Sequence, residues 1–224
     1  MKYSWLLFDA DDTLFDFARA EAAALKNTLE QTGLAFKPEH VGLYAHFNQQ
    51  VWSEFEQGKL SSQELRTKRF QLFFEGAGLN GDPVTTSPLY LQNLALGTYL
   101  LEGADEVVHS LKKRYQLALV TNGLKDVQRP RLEGSSLHDC FEKVFISEEV
   151  GAAKPERTYF DRVFENIGNP AQEKVLIIGD SLTSDMQGGL NYGIDTCWYN
   201  PQNKTSTLAL NYQINSLREL LSLL

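Results

Sequence analysis

Five short apolar runs punctuate the chain, at residues 5–8, 116–121, 144–146, 175–178 and 195–199. None of them alternates strictly between apolar and polar positions, and none is long enough for a buried helix. Such runs predict strands covered on both faces, as in a parallel sheet between two helical layers. Helical spacing fills the segments between the later runs. Ala104, Val107, Val108 and Leu111 share one face, as do Phe160, Val163, Phe164 and Ile167. Helical residues follow the second run to about Arg131, and a further helix is predicted from about Ser184 to Asn191. The alternation predicts an α/β fold with a doubly wound parallel sheet.

From about Asp16 to Thr98 the alternation stops, and only helical patterns appear. Ala22, Leu25 and Leu29 lie on one face of an Ala-rich stretch. Tyr44, Asn48, Val51, Trp52 and Phe55 follow helical spacing. Ser61-Ser62-Gln63-Glu64 reads as a capping box opening a third helix, with Gly76 and Gly78 expected to end it. Ser87-Pro88 is expected to start a fourth, with proline in the first turn. These patterns predict a helical bundle of residues 16–99 inserted into an α/β core formed by 1–15 and 100–224.

Composition narrows the class of partner. A hydrophobic fraction of 42% over 224 residues is enough for a substantial core. A net charge of −8 with no basic stripe argues against a nucleic-acid polymer or an anionic membrane as the partner, and leaves a small molecule. Lys112-Lys113-Arg114, the densest basic run, closes a helical pattern where cations suit the helix dipole. No stretch approaches a membrane span, and no secretory signal is visible, so a cytoplasmic location is expected. Cys140 and Cys197 make no disulfide framework and are expected as small buried hydrophobes. The sequon at Asn203-Lys204-Thr205 is read as chance, and residues 201–207 as a polar loop. His40, His46, His109 and His138 fall outside every motif and are expected at the surface or on helices.

Candidate chemistry lies where the apolar runs end. Asp9-Ala10-Asp11-Asp12-Thr13 follows the first run. Carboxylates about 4 Å apart repel by about 4 kcal/mol at an effective dielectric near 20, a cost that a cation, an electrophile or a shared proton would relieve. The plain alternative is a solvated acidic turn. Thr121-Asn122-Gly123 closes the second run, Lys154-Pro155 precedes a helix, and Gly179-Asp180 closes the fourth with Asp185 five residues on. Singly these read as a turn, a surface lysine and a helix cap. Together they meet at the carboxyl edge of one sheet, where doubly wound folds place their crevice.

This ordered set resembles the haloacid dehalogenase-like (HAD) hydrolase superfamily over the whole chain. Its four motifs correspond to Asp9-Ala10-Asp11-Asp12-Thr13, Thr121-Asn122-Gly123, Lys154-Pro155 and Gly179-Asp180-Ser181-Leu182-Thr183-Ser184-Asp185. The helical insertion corresponds to the type-one (C1) cap on a Rossmann-like core. The resemblance implies Asp9 as nucleophile, Asp11 as general acid and base, and Lys154 as a charge on the transferring phosphoryl group and on Asp9. It implies Thr121 and the N–H groups of Asn122 and Gly123 as phosphate donors. Mg2+ is expected on the Asp9 carboxylate, the Asp11 carbonyl and Asp180, with Asp185 acting through a water or positioning Lys154. Asp11 favours phosphoryl transfer over dehalogenation, whereas Asp12 stands where the superfamily usually has glycine. The segments 9–17, 146–151 and 195–200, with Trp52-x-x-Phe55-Glu56-x-Gly58, resemble the bacterial pyrimidine 5′-nucleotidases of YjjG/YfnB type. That implies hydrolysis of phosphomonoesters such as UMP, dUMP and dTMP. A sugar-phosphate or phosphoglycolate phosphatase, a phosphomutase and a non-enzymatic phosphate-binding module remain as alternatives. Trp52 and Phe55 are expected in the bundle core, with base stacking as the other reading. The cap is expected to open and close about residues 15–17 and 99–103.

Overall fold

The structure is a computed structural model describing residues 1–224, except for the side chain of Glu56, one of the residues carrying the subfamily resemblance. By residue contacts the chain divides into two compact units, residues 1–17 with 98–224 and residues 18–97.

The larger unit is built on six strands: β1 (Trp5–Phe8), β2 (Gln116–Thr121), β3 (Lys143–Ile146), β4 (Val175–Gly179), β5 (Asp195–Tyr199) and β6 (Tyr212–Ile214). They run in the order β3-β2-β1-β4-β5-β6, and every neighbouring pair is parallel. The expected doubly wound sheet is therefore present. β1 lies centrally between β2 and β4, the point where chain order reverses and a crevice opens beyond the strand ends. β6 was absent from the hydropathy pattern for a physical reason. It is three residues long, and only Ile214 is buried.

Helices α1 (Phe17–Gln31), α2 (Glu39–Glu56), α3 (Ser62–Ala77) and α4 (Pro83–Ala95) come between β1 and β2. Of the other helices, α5 (Ala104–Leu111) precedes β2, and the rest lie between or after the later strands, with two of them between β3 and β4 and none between β5 and β6: α6 (Lys125–Glu133), α7 (Ser147–Val150), α8 (Arg157–Asn166), α9 (Gln187–Tyr192) and α10 (Leu220–Leu223). Each face of the sheet has its own core. Leu6, Phe8, Leu119 and Ile178 pack with Val107, Val108 and Leu111 of α5 on one side. Leu7, Val120 and Ile177 pack with Tyr159, Phe160 and Val163 of α8 on the other. The period-2 geometry of a strand delivers alternate residues to opposite layers, so apolar runs without alternation are what this sheet requires.

Within residues 18–97, the capping box is formed. The Glu64 N–H donates to Ser61 Oγ, and the Ser61 N–H donates to Glu64. The end of α3 differs from the expectation. Gly76 stays inside the helix, and Gly78 alone, at φ 63°, terminates it. α4 also starts earlier than expected. Asp82 caps it by accepting from the N–H groups of Val84 and Thr85, Pro83 takes the first turn, and Pro88 sits inside the helix. The bundle core is aromatic, with Tyr44 in ring contact with Phe70, Phe73 and Tyr90, and Phe70 with Tyr90. Trp52 and Phe55 pair edge to face with ring centres 5.6 Å apart, but both are only half-buried. His40, on α2, is buried between Phe36 and Phe73, His109 is half-buried, and His46 and His138 are exposed. Cys140 and Cys197 are buried free thiols. Among the described residues no helix is long and apolar enough to cross a membrane.

Candidate active site

The carboxyl ends of β1 and β4 carry Asp9 and Asp180 side by side at the switch point. Asp185 joins them through the π-helical turn Leu182–Met186 that follows β4. One carboxylate oxygen from each of the three lies within 4.8 Å of the others. Gly179 permits this approach, because a Cβ there would overlap the Asp185 carboxylate. The Ser181 N–H holds the second Asp185 oxygen at 3.2 Å.

Lys154 closes the cluster from the loop before α8. Its Nζ donates to Asp9 at 2.6 Å, to Asp185 at 2.7 Å and to the Val120 carbonyl at 2.8 Å. At 2% exposure it is not the solvated surface lysine of the plain reading. Burial alone would lower its pKa, but Asp185 and Asp9 outweigh burial and hold the ammonium protonated. Asn122 fixes the loop by a two-way clamp. Its amide N–H donates to the Lys154 carbonyl, and its amide oxygen accepts the Lys154 N–H, both at 2.9 Å.

Three carboxylates against one ammonium leave two uncompensated negative charges in a buried site. Burial, then the Asp185 charge, push Asp9 well above the usual carboxylate range. The same two causes push Asp180 up to about 7. A divalent cation held by hard oxygen donors would relieve this crowding, so the donor set fits Mg2+. Asp180 is braced for such a role. Its N–H donates to Thr13 Oγ1 at 3.0 Å, and the Trp198 indole donates to its carbonyl at 2.8 Å.

Asp11 departs from the expected pairing. Its carboxylate lies outside the three-aspartate cluster, and its oxygens accept from Arg131 Nη1 and Gln128 Nε2. A repelling neighbour was expected, and the structure supplies a cation. Neither Arg131 nor Gln128 was singled out in the sequence. The available signal was a charged and an amide side chain at i and i+3 on a helix leaving the Thr121-Asn122-Gly123 strand end, among apolar Val127 and Leu132. The Gly123 N–H, expected to face phosphate, donates to Thr121 Oγ1 at 3.0 Å and leaves that hydroxyl's own proton to be donated. Asp12 adopts φ 58°, which explains why glycine is common there and why aspartate is tolerated.

Fold and site together are those of a hydrolase of the haloacid dehalogenase-like class. The model of the haloacid dehalogenase-like hydrolase family matches residues 6–199, and the chain belongs to that family. It is 39% identical to the pyrimidine 5′-nucleotidase PynA of Streptococcus pneumoniae, over 100% of this chain and 96% of that protein. It is 34% identical to the pyrimidine 5′-nucleotidase YjjG of Escherichia coli, over 100% and 99%. The crystal structure of the HAD-hydrolase YfnB from Bacillus subtilis, bound to magnesium and described as revealing interdomain movement, superposes with a TM-score of 0.93. It is 37% identical, over 100% of this chain and 99% of that one.

Proposed function

We propose that this chain is a Mg2+-dependent phosphomonoester hydrolase acting through an aspartyl-phosphate on Asp9, with pyrimidine nucleoside 5′-monophosphates such as UMP, dUMP and dTMP as substrates. The observation that carries the reading is the buried Lys154 bridging Asp9 and Asp185 at the switch point. A lysine held there by two carboxylates orients Asp9 and offsets charge on an arriving phosphate. The similarity to PynA and YjjG supports the nucleotide specificity.

In the first half of the cycle an Asp9 oxygen attacks phosphorus in line. The bond from phosphorus to the ester oxygen breaks, that oxygen keeps the electron pair, and Asp11 gives it a proton. In the second half Asp11 takes a proton from water, the water oxygen attacks phosphorus, and the bond to Asp9 breaks with its electron pair returning to Asp9. Thr121 donates its hydroxyl proton to a phosphoryl oxygen. Asp9 and Asp180, with the Asp11 carbonyl, would hold the metal, and Asp185 would act through a water or position Lys154, as the resemblance implies. Mg2+ bound there supplies the positive charge that lets an anionic nucleophile meet an anionic phosphate. Two buried free thiols support a reducing, cytoplasmic setting.

The test is a panel of monophosphates assayed with Mg2+. UMP, dUMP and dTMP should rank above sugar phosphates and phosphoglycolate. Equal ranking removes the nucleotidase assignment and keeps the phosphatase. No turnover of any phosphate with Mg2+ removes both.

A further inference from the structure

The geometry points to Arg131 and Gln128 as the positioning pair for Asp11, a role that rests on the hydrolase reading above. The two residues lie at i and i+3 on α6 and present their donors to different oxygens of one carboxylate. A carboxylate with a single donor can still rotate about its Cβ–Cγ bond. Donors on both oxygens fix that rotation and set the carboxylate plane.

Both partners are built in rather than adventitious. The Arg131 side chain is fully buried, and its guanidinium lies 4.7 Å from the Phe15 ring centre. Phe15 is itself fixed by bridges to Asp11 and Leu100. Gly123 leaves room for Gln128, because a Cβ there would overlap its amide nitrogen. Gln128 donates to Asp11 while its own Oε1, also buried, has no hydrogen-bond partner. Leaving a buried acceptor unpaired is costly, and the opposite amide orientation would face oxygen against the carboxylate. The amide thus gives up one bond to keep the one to Asp11. The Asp11 side chain remains 26% exposed, so it is held on one side and open on the other. A carboxylate accepts at about four lone-pair sites, and two donors leave sites for the proton it must exchange.

Arg131→Lys and Gln128→Met test this, each made in the wild type and in Asp11→Asn. Rates are measured with Mg2+ for UMP, whose alkoxide leaving group needs a proton, and for p-nitrophenyl phosphate, whose leaving group does not. Rapid quenching isolates the step that phosphorylates the enzyme. The UMP step should slow by about tenfold or more in each variant, with KM little changed, because ångström-scale misplacement of a catalytic group costs up to about 100-fold. The aryl step should slow much less. In the Asp11→Asn background neither substitution should slow UMP further. Equal losses with both leaving groups, losses that multiply in the Asp11→Asn background, or full UMP rates in folded variants would each overturn the inference. Thermal melts report folding. If one variant fails to fold, the other decides, and if neither folds the pair is structural and the inference is wrong. Asp9→Asn is the separate control: if it keeps the wild-type rate, the hydrolase reading itself has failed, whatever Arg131 and Gln128 do.

Discussion

Each of the two units buries a cation beside carboxylates, and the two networks are built differently. In the helical unit, Asn48 bridges Glu21 and Arg69, donating to Glu21 at 2.8 Å and accepting from Arg69 at 3.4 Å. The Arg69 guanidinium lies 4.9 Å from the Tyr90 ring centre, and its Nη2 has no hydrogen-bond partner. Asn48 links one carboxylate to one guanidinium there, so the formal charges of this pair offset each other. In the sheet unit, Lys154 has all three ammonium donors engaged at 2.6–2.8 Å, yet carboxylates outnumber it three to one. The balanced network has loose geometry, and the tight one carries excess charge. A network that only stabilises has no use for uncompensated carboxylates, whereas one that holds a cation and a phosphate does.

The largest effect that separates the networks is on turnover. Asp9→Asn should lower kcat on any phosphomonoester by at least about 10³-fold, since losing a nucleophile removes the chemical path rather than one interaction. Steady-state assay of the purified variant with Mg2+ checks this. Arg69→Met should instead leave kcat within about threefold and cost about 3–5 kcal/mol of stability, because Glu21 loses its buried cation. Urea denaturation monitored by circular dichroism measures that loss. A large kcat loss in folded Arg69→Met would erase the contrast.

The next effect is on metal linkage. Without the ion, Asp180 keeps its proton up to about 7, while its unperturbed value is 3.8. The folded state therefore binds more protons than the unfolded state between these values. Stability should fall as pH rises from about 4 through about 7. Mg2+ should recover the loss, so the gain in Tm on adding Mg2+ should be larger at pH 8 than at pH 5. Melting curves with Mg2+ or with a chelator at the two pH values give the sign. In the helical unit, Trp52→Ala should have the smallest effect, about 1 kcal/mol or less, because its ring is only half-buried. A change in the preference of this variant for UMP over a sugar phosphate would assign base recognition to Trp52.

The two units also differed in how far the sequence revealed them. Apolar strands announce a parallel sheet, and the order of the groups after β1, β2 and β4, with Lys154 before α8, made it legible that Asp9, Lys154, Asp180 and Asp185 would meet at one edge. Their contacts were not. The Asp11 carboxylate was expected to repel Asp9, but it turns to Arg131, 120 residues away in sequence. Pairings at that separation depend on how helices cross a sheet, which local periodicity does not encode. The helical unit gave its helices but not its interior. Glu21 and Arg69 look like ordinary solvated charges in a helical pattern, and only tertiary packing shows them buried. Trp52 and Phe55 mark the converse error, large aromatics at core spacing that lie at the end of α2 and stay half-exposed.

The central claim is that Asp9 carries the phosphoryl group between the two halves of the reaction. Rapid acid quenching of the enzyme during turnover of UMP with Mg2+, followed by peptide mass mapping, tests it directly. One phosphoryl group is expected on the peptide containing Asp9, discharged when substrate is exhausted and absent from Asp9→Asn. Steady turnover with no label on that peptide, or with the label on another residue, would contradict it.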